Sequence, residues 1–169
     1  MTAARDTINV RVRGYRRWAL AASIGLCIAV GFTSGWLFRP DAWYLSLDKP
    51  LFNPPAWMFA PVWTTLYVLM GVAAWRIWCV PDSPERAQAL RQFAVQLALN
   101  AAWTPVFFGA HSLAGGLAVI VLLALAIVVT IQRFHPLDKM AAWLLAPYLA
   151  WVTFATALNA AIWSLNGNQ

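Results

Sequence analysis

From Trp18 onward the chain alternates between long apolar runs and short polar breaks. The runs predict helices at about 18–38, 56–80, 84–108, 113–133 and 139–165, the third with its apolar part starting at Phe93. A helix needs about 20 residues to cross the hydrocarbon layer of a bilayer, and several of the runs are long enough. The breaks are built from residues that cannot continue a helix. Asp48-Lys49-Pro50 and Asn53-Pro54-Pro55 interrupt the chain after the first run, because proline lacks an N–H and restricts the residue before it. Pro55 suits the start of the second helix, where a missing donor costs nothing. Pro81-Asp82-Ser83-Pro84 forms the next break, with Ser83 as a helix N-cap, and His135-Pro136-Leu137-Asp138 the last. Gly109 to Ser112 is a tight turn, and Pro147 inside the fifth run predicts a kink. The first run has a basic flank like that of a signal peptide. It is read as a retained span, because it is long for such a segment and no small-x-small cleavage site precedes a soluble domain.

Composition sharpens this picture. Of 169 residues 62% are hydrophobic and 11% charged, against about a quarter charged in a soluble domain. The expected fold class is therefore an all-α integral membrane protein, a five-transmembrane-helix bundle. It forms one domain, 18–165, between a flexible basic tail at 1–17 and a short polar tail at 166–169. The net charge of +6 serves orientation rather than nucleic-acid binding. With five spans, ten Lys and Arg residues fall on the N-terminal face and two, Arg39 and Lys49, on the other. The positive-inside rule then places the N-terminus in the cytoplasm and the proline-rich loop outside. Arg76 lies near the end of its run and can snorkel to the interface.

In a bilayer the informative residues are the polar and aromatic ones that hydrocarbon does not require. On the third helix Gln92, Gln96, Asn100, Trp103 and Phe107 fall on one face about 80° wide, and Ala94, Ala98 and Ala102 fall nearly opposite. Small residues every fourth position let helices approach closely, so the alanine stripe is a candidate homodimer seam or a contact within the bundle. On the second helix Trp63, Tyr67, Met70 and Ala74 share a face; on the fifth, Tyr148, Trp151, Ala155, Asn159 and Ile162 do. Asn100, Gln96 and Asn159 need partners in hydrocarbon, and gluing helices together would explain each one alone. Three such faces, beneath a proline-locked aromatic loop from Trp43 to Pro55, are better explained by an apolar, aromatic-walled pocket for a flat hydrophobic ligand. Cys27 and Cys79 are expected as buried free thiols, without a CxxC motif. His111 and His135 have no Cys, Asp or Glu at ligand spacing, so no metal site is expected.

Several ordered motifs in this chain resemble those of the TspO or tryptophan-rich sensory protein family, which includes the mitochondrial translocator protein. They are Trp43-Tyr44 with Lys49-Pro50 and Asn53-Pro54-Pro55; Pro61-Val62-Trp63-Thr64-Thr65-Leu66-Tyr67; Gln96-Leu97, Asn100, Trp103-Thr104-Pro105 and Phe107-Phe108-Gly109; and Pro147-Tyr148-Leu149-Ala150-Trp151 leading through Phe154-Ala155-Thr156 to Leu158-Asn159. The resemblance covers about Gly35 to Trp163. It implies a five-helix bundle, commonly a homodimer, that binds porphyrins such as protoporphyrin IX or heme and needs no cofactor. By resemblance, the ligand-binding residues are Tyr44 from the loop, Trp63, Asn100, Trp103, Trp151 and Ala155. The residues matching Trp63 and Asn100 are those that hydrogen-bond a ligand carbonyl. The one matching Trp151 is linked to light-dependent porphyrin breakdown, and Ala155 stands where a bulkier side chain disturbs binding. One departure is clear: the family's cholesterol motif has Ala160 in place of its tyrosine and no later Lys or Arg, which counts against sterol binding.

The reading that follows is a receptor or sensor for tetrapyrroles in a bacterial cell membrane. A transporter of the same ligands is the alternative, though no inverted repeat or charged relay within a span is visible. An enzyme degrading protoporphyrin is another; no acid–base pair, metal cluster or nucleophile is visible, and Trp151 is its candidate residue. A scaffold without a ligand would leave the aromatic loop unexplained.

Overall fold

The computed structural model describes the backbone of residues 2–167 and the side chains from Arg17 to Gly167. Every regular element in it is helical: α1 Thr2–Leu37, α2 Ala42–Ser46, α3 Ala56–Trp78, α4 Pro84–Thr104, a π-helical turn Pro105–Gly109, α5 Leu113–Phe134, α6 Lys139–Trp143 and α7 Ala146–Asn166. Four stretches, 17–37, 56–78, 113–134 and 139–166, are long and apolar enough to cross a membrane. The fold is thus all-α, but the expected count of five spans is not reached on these criteria. The exception is α4, whose first turns carry Glu85, Arg86, Gln88, Arg91 and Gln92 before the apolar part begins.

Three local differences from the expected elements have physical causes. The backbone of the basic N-terminal segment continues α1 from Thr2, where a separate flexible tail is expected. The fifth run divides into α6 and α7. Pro147 has no N–H to give the carbonyl of Trp143, so the helix breaks at Leu144-Leu145 and restarts with proline in its first turn. At the far end of α4, Pro105 passes the chain into a π-turn, closed by the Ala110 N–H donating to the Pro105 carbonyl at 2.8 Å.

The breaks act as caps. Side-chain oxygens of Asp41, Ser83, Ser112 and Asp138 accept from the backbone N–H of Tyr44, Arg86, Gly115 and Ala141 respectively. Each satisfies a first-turn donor that the helix itself leaves open. Pro55 stands at the N-cap of α3, one position before the first turn.

Around the bundle the order is α3, α1, α4, α5, α7, with α7 only lightly touching α3 to close the ring. Lipid is as apolar as leucine, so close packing and interhelical hydrogen bonds hold such helices together. Gly71 lets α3 approach the backbone of α1 at Ile24, and the Ser23 hydroxyl donates to the Gly71 carbonyl at 2.8 Å. Ser34 in turn donates to the Ala101 carbonyl of α4 at 2.9 Å. Gly116 of α5 leaves room for Phe107 and the Asn159 amide. Hydroxyls of Thr64, Thr65, Thr130, Thr153 and Thr156 donate to the carbonyl one turn back, so none is left bare. Met70, Ile77, Leu123, Ile127, Phe134 and Tyr148 fill the centre. Cys27 is buried and Cys79 half-buried, both free.

Arg76 does not simply snorkel. Its guanidinium pairs with Asp138 at 2.8 Å and joins α3 to the cap of α6. Gln96 and Asn100 of α4 and Phe107 of the π-turn are buried, while Ala94 and Ala98 lie exposed and Ala102, the third of the alanine stripe, is half-buried.

Candidate functional site

Between α1, α3, α4, α5 and α7, beneath α2, lies a cavity of about 490 Å³. Sites for small molecules run from about 300 to 1,000 Å³, so this one is of ligand size. Its lining is mostly aromatic and aliphatic, and it brings together Tyr44, Trp63, Asn100, Trp103, Trp151 and Ala155, the six residues singled out from the sequence.

The walls are organised as ring pairs at helical spacing. Trp63 stacks on Tyr67 one turn along α3, with centroids 5.5 Å apart and planes at 25°. Trp103 stacks on Phe107 at 5.0 Å and 21°. The π-turn keeps Phe107 facing inward and leaves the following Phe108 edge-on to Tyr44, 5.2 Å away. Trp151 of α7 stands edge-on to Phe59 at 5.9 Å. Ala155, one turn beyond Trp151, adds only a methyl group, and the space it leaves is part of the cavity.

Asn100 is the polar centre of the bundle, but the protein itself uses it. Its amide oxygen accepts from the Tyr67 hydroxyl at 2.9 Å, and its Nδ2 donates to the Tyr148 hydroxyl at 3.0 Å. This chain ties α3, α4 and α7 together. An amide has two donors and an oxygen with two lone pairs, so one N–H and one lone pair remain for something in the cavity. Asn159 also lines the cavity, but its amide is taken up by α5. With its amide oriented to satisfy both atoms, it donates to the Leu113 carbonyl at 3.1 Å and accepts from the Leu117 N–H at 3.3 Å. The buried groups without a hydrogen-bond partner among the described residues include the Gln96 amide, one turn from Asn100, and the Trp151 indole N–H. The indole of Trp63, which lines the cavity, has no hydrogen bond among the described residues either.

The roof is fastened at three points. Leu47 buries itself against Leu158 and Ile162 of α7. Asn166 pairs with the backbone of Asp48 in both directions, accepting from its N–H and donating to its carbonyl, each at 2.9 Å. His111 lies in the turn before α5. Its Nε2 sits 2.9 Å from the Asp41 carboxylate, and its ring stacks on Trp43 at 4.5 Å. His111 holds this position with φ of 50°, a left-handed conformation uncommon outside glycine. The Tyr44 N–H, followed by His111, holds the Asp41 carboxyl below the usual carboxylate range. Burial pushes the Tyr44 phenol up.

Tyr67 and Phe107, which the helical wheel sets on the inward faces with Trp63 and Trp103, join the six in the lining. Asn166 belongs by sequence to a polar tail, and nothing near it in sequence points to a partner at Asp48. Arg39 lies just past the end of α1, and no periodicity reaches it, yet it lines the cavity mouth. Among the described residues no group of three or more His, Cys, Asp or Glu could hold a metal ion.

Comparison with known proteins gives a consistent result. Residues 23–164 match the model of the TspO/MBR family. The chain is 45% identical to Protein CrtK of Rhodobacter capsulatus over 85% of its own length and 89% of that protein's. It is 43% identical to the tryptophan-rich sensory protein of Cereibacter sphaeroides, covering 90% and 94% of the two chains. It is 38% identical to the translocator protein of Homo sapiens, covering 88% of each.

Proposed function

This chain belongs to the TspO/MBR family, and on that footing we propose that it is a membrane receptor whose cavity takes porphyrins or similar flat hydrophobic ligands. One observation carries the reading. Three tryptophans from three helices, Trp63, Trp103 and Trp151, meet in one apolar cavity of about 490 Å³ under an aromatic roof. A scaffold that only packs its helices has no use for such a space. A planar ring system fits it by stacking, with the free Trp63 N–H and the spare capacity of Asn100 to orient a polar edge.

The remaining parts follow from the same reading. The apolar second half of α4 crosses the membrane beside the four stretches of higher hydropathy, giving five spans with the N-terminus in the cytoplasm. The exposed alanines of α4, Ala94 and Ala98, together with Ala102, meet a second copy of the chain in a homodimer. Bacterial relatives at 43–45% identity suit a bacterial cell membrane.

The test is a titration of the purified protein with protoporphyrin IX in the dark, following tryptophan fluorescence. Saturable quenching that weakens in Trp63→Ala is the expected result. No quenching at micromolar porphyrin would remove the reading. The position of Trp151 in the cavity wall favours a second reading, light-dependent breakdown of the bound porphyrin. In that case Trp151→Phe binds porphyrin but no longer consumes it under light; unchanged consumption would dismiss the idea.

A further inference from the structure

Charge at the cavity is placed unevenly. Of the residues that line it, Arg39 alone carries a formal charge, and it sits at the mouth, where α1 gives way to α2. No carboxylate of the described residues pairs with it. Its guanidinium rests against the Trp36 ring, 5.9 Å from the centroid, which orients it without neutralising it. Two other charged groups of the roof are already engaged. Asp41 is taken by His111 and by the Tyr44 N–H. Lys49 donates to the Leu47 carbonyl at 3.0 Å, and its ammonium lies 4.7 Å from the Tyr44 ring centroid. An unpaired guanidinium at the rim of an otherwise apolar pocket is an anchor for an anion whose body is apolar. Its planar fork of donors matches a carboxylate.

We propose that Arg39 makes this site selective for planar hydrophobic acids, the ring system stacked inside the cavity and a carboxylate held at the mouth. The inference rests on the receptor reading above and adds to it the residue that reads the acidic edge of the ligand. A porphyrin bearing propionates at one edge has this form: an apolar macrocycle that enters and an acidic edge that stays at the water interface. The carboxylate gains a charge-assisted hydrogen bond, weakened by the exposure of Arg39 to solvent. The expected gain is therefore about tenfold in affinity, the lower end for hydrogen bonds to charged groups.

The experiment compares protoporphyrin IX with its dimethyl ester, in the dark and in uncharged detergent, on wild type, Arg39→Gln and Arg39→Lys. Tryptophan quenching reports both ligands. The acid is expected to bind wild type about tenfold more tightly than the ester. Arg39→Gln should bring the acid down to the affinity of the ester and leave the ester unchanged. Arg39→Lys should keep part of the difference, since it retains the charge but loses the fork. Equal affinity of acid and ester for wild type would overturn the inference while leaving the receptor reading in place. An equal loss for both ligands in Arg39→Gln would also overturn it, showing that Arg39 only supports the fold. Quenching by neither ligand would remove both readings.

Discussion

Replacing Asn100 by leucine separates two roles that the sequence cannot tell apart. The side chains are similar in size, so the change opens little space. It does remove both hydrogen bonds of the chain from Tyr67 through Asn100 to Tyr148. These atoms lie deep: Asn100 is 5% exposed, Tyr67 7% and Tyr148 0%. Interhelical hydrogen bonds in membrane proteins average about 0.6 kcal/mol each and reach about 1.7. A buried hydroxyl left without a partner costs about 1–3 kcal/mol. Tyr67 also lines the cavity, which softens its loss. The expected destabilisation of Asn100→Leu is therefore about 2–3 kcal/mol. Equilibrium unfolding in mixed micelles, followed by circular dichroism, measures it. The triple variant Tyr67→Phe/Asn100→Leu/Tyr148→Phe should recover much of that loss, because it removes the stranded hydroxyls along with the amide. If Asn100→Leu stays within about 0.5 kcal/mol of wild type while ligand affinity collapses, the reasoning fails. Asn100 would then serve the ligand rather than the bundle.

Three further changes test other parts of the structure. Gly71→Leu places a side chain where α1 presents the backbone of Ile24, so it should destabilise the fold by about 1–3 kcal/mol or more, measured by the same unfolding assay. Burial opposes ionisation of Asp138, but the Ala141 N–H and the Arg76 guanidinium outweigh it and hold the carboxyl below its usual range. A depressed carboxylate stabilises the fold above its unfolded pKa of about 3.9 and loses that contribution as pH falls through the folded value. Asp138→Asn should therefore flatten the acid limb of the stability profile; an unchanged limb would mean that the pair with Arg76 is immaterial. Ala98→Phe on the exposed face of α4 should shift the oligomer toward monomer in detergent, as read by light scattering, and an unaltered mass would exclude that face as the seam.

The membrane helices and their inward faces were legible because lipid makes apolar residues uninformative and throws the exceptions into relief. Trp63 with Tyr67, Asn100 with Trp103, and Trp151 with Ala155 each repeat at helical spacing, so their faces can be read without coordinates. Their meeting in one cavity could not be derived from periodicity, which fixes a face on one helix but not which faces oppose each other. Family resemblance supplied that step. The pairing of Asn100 with two tyrosines was invisible for the same reason: its partners lie 33 and 48 residues away. The clasp between Asp48 and Asn166 spans 118 residues and uses backbone atoms of the loop, which leave no trace in side-chain pattern. The hydrophilic first half of α4 has its polar groups met by α5. Its Gln92 side chain donates to the Ala126 carbonyl of α5 at 3.3 Å, and Gln88 accepts from Arg133 at 2.7 Å. Partners on a neighbouring helix thus take up polar groups that a span read alone would have to leave in lipid.

The central claim is that the space left open beside Ala155 receives the ligand. Dark titration of Ala155→Phe with protoporphyrin IX tests it most directly, with Ala98→Phe on the outer surface as the matched control. The larger ring fills part of the 490 Å³ cavity, so quenching should weaken at least tenfold in Ala155→Phe and stay at the wild-type level in Ala98→Phe. Equal, undiminished quenching in both variants would contradict the account and place the porphyrin elsewhere on the protein.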